Sequence, residues 1–570
     1  MRCALAGAMG WRGSVLLLAA SGILVLAAGQ ARGAPLTPIA RWDVVPWQRI
    51  EHGATLNCGV VAFSKAGIER VTFSVAGERR DVTEMTHNDQ SGVHEYWTPV
   101  AAGDFDRDGP VTVRATVHGA DGGVRELKAL PLVVNPTGSL PRPEAWADAE
   151  NGSDETGRVN DPARPFKTIG RAMAAIRVWM RENGYGDHIG GGIVRLTPGH
   201  HPMSNGRVWN EIPAGDEWFT ITRSADGTRQ NTIIDSFEGS PVTRLLKIDG
   251  ITLEARREER YVVRSPSKYA DYVRIWINDC RLLGFDRHVN GCHPVQFCSY
   301  ITGCSVHNTH NVIPAKAVLA RGLTADHIGN DLNANCPMMV NCEATDIDPG
   351  LTYAHADAWQ FWHTDGPNNT IVYNCRVMDA HYQGIMCRTG RADSPPARDV
   401  AFVNFFIELS PPLRPAFESA GPNNGHSLWM RSTDHLLLWH CSFIGQSFSI
   451  FDDGDQSTGE RLITNITNLS VKGCYFGAFK QDDRRGGRAD FSDFESNHYV
   501  TPAGGVYTKT PGTGVTTGDA RLDNRGCPTP SSPLVDRLAH RLVPTDAWGR
   551  ARDARADVGA CELQRAQTRP

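Results

Sequence analysis

The stretch "PMMVNC" (337–342) is followed 33 residues later by a similar stretch, "TIVYNC" (370–375), and this repeat decides the fold. Each copy is a short apolar run followed by an asparagine and a cysteine. "VAFVNF" (400–405) fits the same pattern with Phe405 in place of the cysteine. Related segments end at Cys280, Cys304, Cys441 and Cys474. Strand-like segments that recur every ~20–50 residues predict a solenoid of stacked coils.

Stacked coils explain why the same residue types recur. One coil cannot bury its own apolar face, but coils stacked about 4.8 Å apart bury a continuous core and pair their backbones. A free cysteine behaves as a small buried hydrophobe, so the six cysteines predict an inward column of thiols. One cysteine per coil lacks the close spacing of a zinc site. Asn341 and Asn374 are then expected to stack at the bend before this column.

The disulfide question stays open for six further cysteines, because connectivity cannot be read from spacing alone. They are Cys58, Cys292, Cys298, Cys336, Cys527 and Cys561. Cys387 is expected to point inward on its strand.

Upstream of the repeat, the sequence predicts a helix, a linker and a small domain. Ile169, Met173, Ile176 and Met180 share one face of a helix that starts at Thr168 and is expected to cover the open end of the solenoid. Residues 136–144 form a linker rich in proline. Residues 36–135 contain alternating segments such as "IERVTFSV" (68–75), which predict a small β-sandwich.

The two ends and the composition indicate where the protein works. Residues 1–33 have arginines followed by a short apolar run, which predicts a signal peptide, with an uncleaved anchor as the alternative. No later segment reaches the ~18 apolar residues of a spanning helix. We therefore expect a soluble monomer that is secreted, periplasmic or at the cell surface. A net charge of −5 gives no sign of nucleic-acid binding.

Two longer segments carry a family resemblance. "NGSDETGRVNDPARPFKTIGRAMAAI" (151–176) resembles the entry, and "VPTDAWGRARDARADVGACE" (543–562) the exit, of the pectin-lyase-like superfamily in secreted bacterial proteins. Residues 36–135 resemble the immunoglobulin-like modules of exported bacterial enzymes. The resemblance implies an all-β fold, in which a right-handed parallel β-helix with an N-terminal capping helix occupies 145–562 and residues 563–570 form a tail. It also implies a polysaccharide partner.

The cysteine column locates a cluster of polar residues on two neighbouring coils. Asp346 and Asp379 lie four residues after Cys342 and Cys375, and Asp348 and His381 lie six residues after them. If the coils stack, Asp346 lies near Asp379 and Asp348 lies near His381.

A strip suited to sugars is predicted on the next strand of each coil. If Ile385 points inward, then Arg388 points outward, because strand side chains alternate. Aromatic faces pack on sugar rings, and arginine holds carboxylate or sulfate groups. The predicted substrate-binding residues are Gln360, Trp362, Trp429, Arg431 and Asp453.

Two chemistries remain open. The resemblance to β-helix lyases implies Ca²⁺ held by Asp346 and Asp379, with His381 or Arg388 removing a proton next to a uronate carboxylate. The resemblance to β-helix hydrolases implies a carboxyl pair, for which Asp357 with Asp452 or Asp453 are candidates.

The predicted catalytic residues are therefore His381, Arg388, His355 and Asp357. The predicted function is a polysaccharide lyase or glycoside hydrolase acting on an acidic polysaccharide. The alternative is a non-catalytic glycan-binding or cell-surface protein, since a fold alone does not give a function.

Overall fold

A computed structural model describes most of the chain from residue 35 onward. The described residues are 35–202, 216–235, 237–238, 245–255, 261–264, 274–288, 293–296, 300–313, 317–332, 336–348, 357–363, 368–381, 383–389, 397–409, 426–430, 433–450, 453–454, 461–462, 465–481, 488–500 and 512–564. The predicted signal peptide (1–33) lies outside them.

Most of the described chain runs back and forth between two long parallel sheets. The first long sheet pairs strands of successive coils in order. Its strands are Glu144–Ala147, Ile193–Leu196, Phe219–Arg223, Leu245–Asp249, Arg274–Asn278, Tyr300–Thr302, Leu319–Arg321, Met338–Val340, Asn368–Tyr373, Ala397–Val403, Thr433–Trp439, Asn465–Thr467, Ser470–Lys472, Arg488–Ala489 and Phe494–Glu495.

The second long sheet takes the strand that follows in each coil, and later coils add a third strand to the same sheet. Its strands are Gly199–His201, Thr232–Asp235, Thr252–Glu254, Arg281–Leu283, Ser305–Thr309, Thr324–Ile328, Glu343–Ile347, Asp357–His363, Arg376–Ala380, Gln383–Thr389, Phe406–Leu409, His426–Met430, Ser442–Ile450, Tyr475–Gln481, His498–Tyr499 and Thr516–Thr517. Smaller sheets join Phe237–Glu238, Tyr261–Arg264 and His293–Gln296, and Asp453–Gly454 with Arg461–Leu462. This all-β architecture of stacked parallel strands confirms the coarse prediction and is consistent with a β-helix.

From the coil that contains Leu245–Asp249 onward, a sharp corner joins the two long sheets. The residue at this corner has a left-handed backbone, as in Asn341 (φ 51°), Asn374 (φ 54°) and Asn404 (φ 51°). The amide of Asn404 donates to the side-chain oxygen of Asn374 on the coil before it, at 2.9 Å. Asparagine tolerates this conformation better than most residues, so the predicted asparagine bend is confirmed.

The thiol column follows the corner directly. Cys280, Cys304, Cys342, Cys375, Cys441 and Cys474 are buried and free, as predicted. Phe405 occupies the equivalent buried position in its coil. Cys58 and Cys336 are also free, whereas Cys527 and Cys561 form a disulfide. Cys292 and Cys298 lie outside the described residues.

The predicted helix spans Ile169–Glu182 and begins after Thr168, whose side chain accepts a hydrogen bond from the backbone N–H of Arg171. Ile169, Met173, Ile176 and Met180 are buried in the same apolar cluster as the first strands of the solenoid. The face predicted from the spacing is therefore the buried face. No helix in the described part of the chain is long and apolar enough to cross a membrane.

Residues 39–134 form two small sheets. One contains Ile39–Trp42, Thr55–Phe63, Thr86–Asn88 and Val93–Ala101. The other contains Arg49–Ile50, Ile68–Val75, Glu78–Val82, Gly109–Gly119, Val124–Glu126 and Leu130–Val134. Two buried clusters each contain residues of both sheets. The immunoglobulin-like assignment and the domain boundaries stay predictions.

The first long sheet is buried on both faces, which explains its continuous apolar runs. Its outer face joins one cluster that contains Ile39 and Phe63 from the small sheets and Val543 from the C-terminal segment. Polar contacts fix the small sheets in place. Asn369 exchanges two hydrogen bonds with the backbone of Ala40, at 2.9 and 2.8 Å, and the guanidinium of Arg321 lies 3.1 Å from the buried carboxylate of Asp43.

Candidate functional site

The described polar cluster lies on the outer side of the second long sheet, where the coils are short. In this region the left-handed corner recurs at Gly303, Gly322 and Asn341, only 19 residues apart. The strands Ser305–Thr309 and Thr324–Ile328 pair in register, so His307 lies directly opposite Asp326. We call these two coils, residues 300–336, the short coils.

Three side chains of the short coils converge. The Nδ1 of His307 lies 2.8 Å from one carboxylate oxygen of Asp326, and the Nδ1 of His327 lies 3.5 Å from the other. The two imidazole rings are 4.8 Å apart between centroids. His327 reaches this position because its backbone is left-handed (φ 55°), which turns the chain at the end of the strand. We call these three residues the His–Asp–His cluster.

Arg287 connects this cluster to the predicted acidic residues. Its guanidinium donates to Asp346 at 2.8 Å and to Asp348 at 3.4 Å. The Nε2 of His327 lies 3.7 Å from the same oxygen of Asp346. The backbone of Arg287 also contacts the short coils, since its N–H donates to Asn308 at 3.1 Å. A guanidinium forked between two carboxylates neutralises much of their charge.

Asp379 and His381 follow on the next coil, as predicted by counting four and six residues from Cys375. Thr345 pairs with Met378 in the register, and the N–H of His381 donates to Ile347. The Nε2 of His381 lies 3.3 Å from Asp379, and the His381 side chain is only 7% exposed. Glu408 lies on the following coil, and its pKa is raised by burial and then by the negative charge of Asp379.

A cavity of about 340 Å³ opens beside the His–Asp–His cluster on the same face of the sheet. It is lined mainly by polar side chains, including His307, Asp326, Arg281, Glu343 and Thr345. Glu343 forms an ion pair with Arg376 of the next coil. The face therefore offers a polar groove with charges of both signs.

The structure brings part of the predicted sugar strip together at the level of the backbone, whereas Asp453 pairs with Leu462 in a separate two-stranded sheet. Gln360 pairs with Met386 and Trp362 with Arg388, and Met386 pairs in turn with Trp429. On the same strands, Trp359 and Ile385 are buried in the core. Asp357 pairs with Gln383.

Several predicted side chains fall outside the described part of the structure. They are those of Asp357, Gln360, Trp362, Arg388, Trp429 and Asp453, while His355, Arg431 and Asp452 lie outside it entirely. Their roles stay predictions.

Sequence reasoning missed Arg287 and the pairing of His307 with Asp326. Counting residues from the cysteines passed over the coil at 317–336, because Leu323 occupies the position that is a cysteine in the neighbouring coils. Counting four residues from Cys304 and from Leu323 gives Asn308 and His327, which share the left-handed conformation of Asp346 and Asp379. Arg287 carries no such signal, because it comes from a turn and not from the repeat.

Comparison with known proteins gives no significant match to a family model, to a curated protein or to a solved structure. The pectin-lyase-like resemblance therefore rests on the sequence patterns, and the structure supports it only as far as the long parallel sheets.

Proposed function

We propose that this protein is an exported carbohydrate-active protein that processes an acidic polysaccharide by lyase or hydrolase chemistry. In this proposal the solenoid is a right-handed β-helix, the helix Ile169–Glu182 covers its first coil, and residues 36–135 form an immunoglobulin-like module. The signal peptide directs the chain to the cell surface, the periplasm or the medium.

One observation carries the proposal: basic and acidic side chains from four successive coils lie side by side along the second long sheet. Arg287 is 19% exposed and is held against Asp346 and Asp348, while Asp379 is 55% exposed beside His381. A parallel sheet repeats such positions about every 4.8 Å along its axis, which suits an elongated chain with repeated charges. Trp362 and Arg388, which pair in the neighbouring strands, would supply the stacking face and the carboxylate fork.

In the lyase version, Asp346 and Asp379 would hold a Ca²⁺ ion, which would neutralise the uronate carboxylate. His381 or Arg388 would take the C5 proton while the bond from C4 to the glycosidic oxygen breaks and a C4–C5 double bond forms. Asp346 and Asp379 offer the carboxylate oxygens that this ion prefers. Binding Ca²⁺ at Asp346 would require Arg287 to give up its 2.8 Å contact.

A second function, glycan binding without turnover, is favoured by a specific observation. His381 is almost fully buried and already contacts Asp379, and Arg287 already neutralises Asp346 and Asp348. Side chains that already have charged partners can still bind a glycan through polar contacts. A histidine that is buried against a carboxylate is poorly placed to accept a proton from a substrate.

The test is a panel of acidic and neutral polysaccharides incubated with the exported chain, with and without a calcium chelator. A lyase gives a product that absorbs in the ultraviolet, and a hydrolase gives new reducing ends without that absorbance. His381→Ala and Arg388→Ala are expected to lower turnover at least ~100-fold, as removal of a general acid or base does. His200→Ala, on a distant coil, is the matched control and should keep full activity.

Turnover that survives both substitutions would remove the lyase assignment. Retention of a polysaccharide on the protein without any product would favour the glycan-binding function.

A further inference from the structure

The His–Asp–His cluster has the composition and spacing of a transition-metal site. Its three ligand atoms, one from each of His307, Asp326 and His327, lie within 4.8 Å of one another. A Zn²⁺ ion bound at about 2.1 Å in a tetrahedral site needs ligand atoms separated by about 3.4 Å. All three side chains are between 42% and 51% exposed. Small rotamer changes can therefore bring ligand atoms that now lie within 4.8 Å of one another to the separation of about 3.4 Å that zinc needs.

The stacking of the short coils produces this convergence. His307 and Asp326 are register partners on adjacent strands, and residues so placed are about 4.8 Å apart. The next residue, His327, turns outward through its left-handed backbone and brings a second imidazole to the same carboxylate. The longer coils place no second histidine at this point among the described residues.

A further contact matches what metal-binding histidines usually have. With the Nδ1 of His327 directed at the cluster, its Nε2 lies 3.7 Å from Asp346, which Arg287 holds from the other side at 2.8 Å. A ligating histidine commonly directs its other ring nitrogen at a carboxylate, which fixes the tautomer and the ring orientation. Asp346 is therefore a positioning residue for His327.

We propose that His307, Asp326 and His327 bind one divalent transition-metal ion of the zinc type. Two imidazole nitrogens favour Zn²⁺, Ni²⁺ or Cu²⁺ over Ca²⁺, which prefers oxygen ligands alone. Three protein ligands leave a position open toward the 340 Å³ cavity, where water or a ligand oxygen completes the coordination. Its three ligands are separate from Asp346 and Asp379, the residues expected to bind Ca²⁺, although Asp346 is next to both sites. The proposal does not depend on the carbohydrate function.

The experiment titrates the metal-free exported chain with Zn²⁺ by calorimetry, and with Co²⁺ by its visible absorption. One ion should bind, a tenfold excess of Ca²⁺ should not displace it, and His307→Ala or Asp326→Asn should weaken binding at least tenfold. Asp346→Asn should keep the stoichiometry and weaken binding about 10–100-fold, as loss of an outer carboxylate does.

The matched control is His200→Ala. His200 is partly exposed and lies 2.6 Å from the buried carboxylate of Asp235, outside the one three-residue cluster of possible metal ligands found among the described residues. Its loss should leave the affinity unchanged. Equal Zn²⁺ affinity in His307→Ala and in the parent, or an equal loss in His200→Ala, would overturn the proposal. Thermal melting of each variant checks folding, which these exposed substitutions should preserve.

Discussion

The short coils and the coils that follow them build the same two sheets and the same core from different numbers of residues. The short coils repeat after 19 residues and carry two described strands each. The coils beginning at Met338 and Asn368 take 33 and 30 residues from corner to corner, and they add the strands Asp357–His363 and Gln383–Thr389. Both keep the same corner and the same inward column. We call the latter the long coils.

The difference shows where extra residues go in a solenoid. Along the short coils, the turn that carries Arg287 lies against the sheet. A Cβ on Gly329 would meet the carbonyl oxygen of Arg287 at 1.9 Å, so this glycine permits the close approach. Along the long coils, the additional residues become third strands with their own core residue, Trp359. Charged side chains lie on both kinds of coil, since Asp346 and Asp379 belong to the long coils. The extra residues of the long coils therefore add a third strand and apolar core.

The largest expected effect is in the long-coil core. Trp359 is fully buried, with its ring centroid 6.2 Å from that of Phe402 and 5.9 Å from that of Phe405. Trp359→Ala should lower the free energy of unfolding by about 3–5 kcal/mol, measured by urea denaturation. The short-coil control Val318→Ala, at a 40% exposed position, should change it by less than about 0.5 kcal/mol. A loss below ~1 kcal/mol for Trp359→Ala would mean that the third strand is not part of the core.

The corner provides the next comparison, because the long coils use Asn374 where a short coil uses Gly322. Asn374→Ala loses the 2.9 Å bond from Asn404 and strains the left-handed backbone, which together should cost about 2–4 kcal/mol. Gly322→Ala meets no atom closer than 3.8 Å, so only the strain of about 1–2 kcal/mol applies. Equal losses in urea denaturation would show that the asparagine contact contributes nothing.

A smaller effect concerns the small sheets, which pack on the outer face of the first long sheet. Burial, followed by the charge of Asp43, raises the pKa of Glu95 to about 8. Between about pH 4.5 and about pH 8, Glu95 is therefore protonated in the folded protein but ionised in the unfolded chain. The free energy of unfolding should fall as the pH rises through this range and stay level above it. The expected loss is at least about 1.4 kcal/mol, the equivalent of one pKa unit.

Glu95→Gln should flatten this pH profile, because glutamine mimics the protonated form. The exposed Glu126→Gln should leave it unchanged. The profile is measured by urea denaturation at several pH values, and an unaltered slope in Glu95→Gln would assign the decline to another group.

The smallest effect is expected between the two long coils. Glu343 of one and Arg376 of the next form an ion pair, with side chains 31% and 23% exposed. Partly exposed pairs of this kind contribute about 0.2–1 kcal/mol, so Glu343→Gln should shift unfolding by no more than that. The shift should shrink in high salt, and a salt-independent loss would point to packing instead.

The sequence predicted the repeated features and missed the single ones. Apolar runs, corner asparagines and the cysteine column recur in register, so their spacing carried the all-β fold and the equivalent positions of Asp346 and Asp379 on neighbouring coils. The helical spacing of apolar residues carried the buried face of the helix. Leu323 interrupted the cysteine pattern, so His307 and Asp326 could not be paired. Arg287 comes from a turn whose path depends on Gly329, and no periodic signal reports such a path.

The small sheets and the C-terminal segment together bury the outer face of the first long sheet, and this burial affects how the chain folds. A plain solenoid can fold coil by coil, because each repeat contacts only its neighbours. Here Ala40 bonds to Asn369 across 329 residues, and Arg376 bonds to the carbonyl of Ala547 across 171 residues. Contacts so distant in sequence slow folding, since they require large loops to close. During synthesis, the part of the outer face that the segment around Val543 covers can therefore close only after that segment has been made.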